Sequence, residues 1–170
     1  MKTTWKMGVA VGAVAAAAVL ASAAGCGGGQ DPRADVVEIR MVGEHQGNLS
    51  AVLLPVASIT ATAGGRPLEV ETLADTVDLA ANRRDGLLAR VRVPANAGEV
   101  AFSVKFDDAG GYESSRGNGA VDARWAEIGW RAPAAELRKE GRAVITVDLR
   151  RSFRSLGDGM RLLPSSTVMW

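Results

Sequence analysis

Residues 99–107 and 142–150 alternate apolar and polar positions with a period of two. In the first, Val100, Phe102, Val104 and Phe106 share one parity, and Glu99, Ala101, Ser103, Lys105 and Asp107 share the other. In the second, Ala143, Ile145, Val147 and Leu149 oppose Thr146, Asp148 and Arg150. A strand turns successive side chains to opposite faces, so both segments read as strands with one face in a core and one in water. Residues 87–93 alternate likewise and stop at Pro94, which has no amide hydrogen to donate. With the turn formers Asn96 and Gly98 between them, 87–93 and 99–107 are expected to pair as a hairpin. Further strands are expected at 36–42, 50–62 and 67–72, with Gly64-Gly65 turning the chain between the last two. Weaker patterns lie at 76–80, 120–125 and 160–169, the last interrupted by Pro164. Residues 132–139 favour a short helix that Gly141 would stop. About seven to nine short strands, with no sustained alternation of helix and strand, predict an all-β fold, an antiparallel two-layer β-sandwich.

The amino-terminal pattern is of another kind. Lys2 and Lys6 precede an uncharged apolar run from Met7 to Leu20, the order of charge and hydrophobicity found in a secretory signal peptide. The run covers about 21 Å as a helix, short of a bilayer core of about 30 Å, so it predicts a signal rather than a permanent span. Next, Leu20-Ala-Ser-Ala-Ala-Gly-Cys26 resembles a bacterial lipobox, in which small residues precede a Cys that takes a diacylglyceryl group on its thiol and becomes the new amino terminus. The competing processing is cleavage after Ala21-Ser22-Ala23, which would leave a free thiol. Because the one Cys of the chain stands at this boundary, lipidation of Cys26 is the expected outcome. The expected organisation is a signal over 1–25, the lipidated Cys and a Gly-rich tether over 26–35, and the sandwich over 36–170.

Charge and composition narrow the function. The 170-residue chain has 20 basic and 19 acidic side chains; removing 1–25 takes away Lys2 and Lys6 and leaves a net of −1. Such a balance supplies no field for nucleic acid. One Cys excludes a disulfide framework and multi-Cys metal sites, and one His excludes multi-His centres.

Several segments together resemble a family of exported bacterial lipoproteins that carry a β-sandwich domain of unknown function. They are Asp75-Thr-Val-Asp-Leu79, the Val93-Pro94-Ala95 segment, and the carboxyl-terminal stretch from Gly141 to Phe153 with Leu163-Pro164. The resemblance spans roughly 36–168. It implies a transthyretin-like or immunoglobulin-like sandwich and transfers no catalytic residues.

Candidate chemistry is sparse. His45, in Gly43-Glu-His-Gln-Gly47, is the only imidazole, and no Gly-x-Ser-x-Gly accompanies it; a solvated turn is expected there. Asp107, Asp108 and Glu113, around Gly110-Gly111, form a weak Ca²⁺ candidate, with a hairpin loop as the simpler reading. Residues 112–119 read as a long polar loop, and Tyr112, Trp125, Trp130 and Arg131 as a candidate aromatic platform for a glycan or a partner. Arg138, Lys139, Arg142, Arg150, Arg151 and Arg154 read as a solvated basic face.

The sequence thus predicts a membrane-tethered, non-enzymatic lipoprotein in the cell envelope. Its partners would be the bilayer, through acylated Cys26, and an envelope protein or glycan. Gly27 stands where inner-membrane retention commonly uses Asp, so the outer membrane is the expected address. The alternatives are a carbohydrate- or calcium-binding module using 107–131, and a secreted hydrolase with a carboxylate pair.

Overall fold

The structure, a computed structural model, describes residues 35–81, 86–157 and 159–170. The expected signal segment, Cys26 and the expected tether up to residue 34 lie outside the described residues. Among those described, no helix is long and apolar enough to cross a membrane.

The chain forms a two-layer β-sandwich. One sheet contains five strands: β1 (Asp35–Glu44), β4 (Val70–Thr72), β6 (Leu87–Val93), β11 (Arg142–Asp148) and β14 (Ser166–Met169), in the order β14-β11-β1-β6-β4. The other orders β10 (Glu127–Pro133), β7 (Glu99–Phe106), β2 (Leu49–Ala63), β8 (Ala109–Ser114), β9 (Gly117–Asp122), β13 (Gly159–Leu162) and β12 (Phe153–Leu156). Two short strands, β3 (Arg66–Pro67) and β5 (Thr76–Asp78), also pair with β2. Pairing is antiparallel throughout except β1 with β11 and β9 with β13.

The core is made by the alternating positions. Val37, Ile39 and Met41 of β1 and Ala143, Ile145 and Val147 of β11 face Val100, Phe102, Val104 and Phe106 of β7, all buried. In β2 the inward parity changes from Val52 and Leu54 to Ile59 and Ala61. A bulge between Val56 and Ser58 makes the change, because one extra residue reverses the faces of all that follow.

β2 pairs first with β8, over Leu49–Leu53, and then with β7, over Val56–Ala63, so that β7 and β8 run as one long neighbour of β2, and β10 and β9 pair with β7 and β8 on their other side. Most of the second sheet is therefore a meander of three long strands, interrupted along a line through Val56, Asp107–Asp108 and residues 123–126, with β13 and β12 added beyond β9. The expected polar loop over 112–119 is instead a hairpin, β8 to β9, turning at Ser115-Arg116. Strand β10 was hidden in sequence by Gly129 and Pro133; it lies at the sheet edge, where a missing amide hydrogen is tolerated.

The expected hairpin between 87–93 and 99–107 does not form. β6 pairs with β1 and β4, β7 pairs with β2 and β10, and residues 94–98 cross between the sheets. Helix α1 (Ala134–Glu140) braces this corner: the Ala134 amide donates to Gly98 O at 2.9 Å and Arg138 Nη1 to Pro94 O at 2.8 Å. Gly141, at φ 68°, ends the helix by donating its amide to Leu137 O. The 160–169 segment likewise changes sheets at Pro164, giving β13 to one and β14 to the other. Buried Ser152, in the single turn α2 (Leu149–Ser152), fixes that crossing by accepting from the Ser165 amide at 2.9 Å.

Candidate functional site

The proposed aromatic platform is dispersed. Trp130 faces inward from β10 and stacks on Phe102, with centroids 4.7 Å apart and rings within 7° of parallel. Its indole Nε1 is buried without a hydrogen-bond partner. Arg131, next along the strand, points to the opposite face and pairs with Glu99 at 3.1 Å. Tyr112 lies on β8 against Gly119 of β9, whose Cα hydrogen leaves room for the ring; a Cβ there would meet the ring at 2.8 Å. Trp125 is 77% exposed, in the turn after β9.

Around Trp125 the surface is charged. The Asp122 carboxylate accepts from Arg124 Nε at 3.0 Å and Nη2 at 3.1 Å, and from Arg161 Nε at 3.1 Å. The Arg124 guanidinium foremost, then its amide and Arg161, hold Asp122 far below the usual carboxylate range against the opposing effect of partial burial. Glu127, on β10, is held low chiefly by the Ser103 hydroxyl, which donates at 2.6 Å, with help from Lys105.

Asp107 and Asp108 occupy the junction between β7 and β8, whereas Glu113 stands five residues on in extended β8, about 16 Å of strand away. The fold does not bring these three carboxylates together. Nor does it gather the six basic residues: 138–142 lie at the start of β11 and 150–154 beyond its end.

A group the sequence could not assemble forms where β1 and β11 finish. These strands are parallel, with Glu44 opposite Asp148, so their ends place two carboxylates side by side. His45 follows Glu44 with φ 56°, and among the described residues it is the one non-glycine at positive φ. That conformation, unfavourable for a side chain with a Cβ, folds the imidazole back over the strand ends. His45 Nδ1 lies 3.4 Å from Asp148 Oδ2 and 3.7 Å from Glu44 Oε1. Asp148 also caps α2, accepting from the Arg151 amide at 3.1 Å through Oδ1, while Arg151 Nε stands 3.5 Å from Oδ2. Burial resists ionisation of Asp148, but the amides of Arg151 and Arg150 and the charges of His45 and Arg151 outweigh it and hold this carboxyl low. A cavity of about 250 Å³ opens beside His45, lined by Leu49, Leu149, Arg150, Phe153 and Met160 among others.

No protein family, curated protein or solved structure matches the chain.

Proposed function

We propose that the protein is an exported lipoprotein, anchored through acylated Cys26, whose β-sandwich serves an interaction role in the cell envelope and catalyses no reaction. The observation that carries this reading is the single Cys at the end of an n-region, an apolar run and a small-residue stretch. The domain supports it. β1 starts at Asp35, nine positions after Cys26. The intervening Gly27–Ala34 can reach about 28 Å when extended. β1 then carries the chain about 30 Å from one end of the sandwich to the other. The Asp35 end, with the Arg138 side chain 3.7 Å from the Asp35 carboxylate, would face the membrane, and the Glu44–His45–Asp148 end would face away.

Intact mass and peptide mapping of the protein extracted from its host's membrane fraction test the reading. The expected mature chain begins at Cys26 and carries an added diacylglyceryl mass, and Cys26→Ser removes it from the processed membrane pool. A soluble chain beginning at Ala24 would overturn the anchor.

A further inference from the structure

We infer that Glu44, His45 and Asp148 form a binding site for one divalent zinc ion, with Nδ1 of His45 and one oxygen from each carboxylate as ligands. The spacing carries the inference. Nδ1 stands 3.4 Å and 3.7 Å from the two carboxylate oxygens, and the three ligand atoms lie within 4.8 Å of one another. An N–H···O hydrogen bond draws its atoms to about 2.7–3.2 Å, and neither pair has closed to that distance. Zinc holds nitrogen and carboxylate oxygen at about 2.0–2.2 Å, which puts neighbouring ligands of a tetrahedron about 3.4 Å apart. The His45–Asp148 edge already has that length. A small rotation of Glu44, whose side chain is half exposed, brings the remaining edges in.

The fold holds the set in place. Parallel register puts Glu44 beside Asp148, the positive φ of His45 aims the ring at both, and the α2 amide fixes the second oxygen of Asp148. Arg151 shares Asp148 Oδ2, but its side chain is 72% exposed and free to swing into water when a cation arrives. Two carboxylates and a neutral imidazole balance the 2+ charge. An imidazole nitrogen among the ligands favours zinc over calcium and magnesium, which select oxygen. Three protein ligands leave the fourth position open to water or to an anionic group of a second molecule.

The test uses the full chain in detergent carrying Cys26→Ser, which removes the one thiol that would compete for metal. After chelation, Zn²⁺ is titrated by calorimetry. Imidazole NMR is followed in parallel, since this chain has a single His and therefore a single reporter. The expected result is one Zn²⁺ per chain, a His45 ring resonance shifted by metal on Nδ1, and at least a hundredfold weaker binding in His45→Asn and in Asp148→Asn. Asn tolerates positive φ, so the first variant keeps the turn, and circular dichroism confirms that both variants fold. No saturable binding below millimolar Zn²⁺, binding that moves no imidazole signal, or affinity unchanged in both folded variants would each overturn the site. The outcome is independent of whether Cys26 is lipidated.

Discussion

The two indoles of the 120–130 region look equivalent in sequence and have opposite roles. Trp130 fills space against Phe102, so Trp130→Ala should cost about 3 kcal/mol in urea unfolding. Trp130→Phe keeps the stacked ring and removes the unpartnered Nε1 donor, and it should stay within about 1 kcal/mol of the parent. Trp125→Ala, at an exposed turn, should stay within about 0.5 kcal/mol. Equal losses at the two positions would contradict this assignment. Asp122 makes a pH prediction of definite sign. Its folded pKa is depressed by Arg124 and Arg161, so the stability it contributes is complete above the ordinary aspartate value near 3.9 and drains away as pH falls through the lower folded value. Unfolding midpoints measured from neutral pH into acid should therefore fall less steeply for Asp122→Asn than for the parent. Composition could not separate these residues, because inward or outward placement depends on register with a neighbouring strand.

At the scale of elements, period-two alternation was sufficient wherever a strand packs one face on the core. The segment at 87–93 emerged with the expected limits, and 99–107 and 142–150 changed only at their ends. Alternation carries no information about partners, which is why it suggests a hairpin between two neighbouring strands that belong to different sheets. It also failed for β8, where Gly110 and Gly111 give no pattern, and at Leu149–Arg150, where the strand breaks into a helical turn capped by Asp148. The carboxylate partners of His45 were invisible for the same reason: Glu44 and Asp148 meet only through the β1–β11 pairing. Gly43 makes that meeting sensitive to a single methyl group. Its missing side chain admits the Leu79 carbonyl oxygen, which a Cβ would overlap, with Leu149 Cδ1 also close. Gly43→Ala should cost about 1–3 kcal/mol by thermal unfolding and weaken the zinc site along with it. An alanine variant as stable as the parent would show that the Leu79 contact relaxes freely.

For the whole molecule, the sandwich is closed by its last residues. β14 covers the open edge of β11 through pairs from Val144–Met169 to Val147–Ser166, and Trp170 Nε1 donates to Glu136 Oε2 at 2.9 Å. Deleting 163–170 should expose the β11 edge and raise the aggregated fraction above that of the full chain in size-exclusion chromatography. A truncated chain with the elution profile and melting temperature of the full chain would refute that closing role. The two-layer architecture was legible from the strand count and the lack of helices, whereas the sheet crossings at 94–98 and 163–165 were not, since both depend on contacts made far along the chain. The parallel pairing has a consequence in time. β11, the partner of β1, begins at Arg142, 104 positions after the Glu38 it pairs with. A chain that emerges amino end first keeps the central strand of this sheet half-paired until nearly all of it has emerged. Completion of that sheet is therefore a late event, and a chain stalled before Arg142 presents the open edge of β1 to whatever protease or chaperone stands nearby.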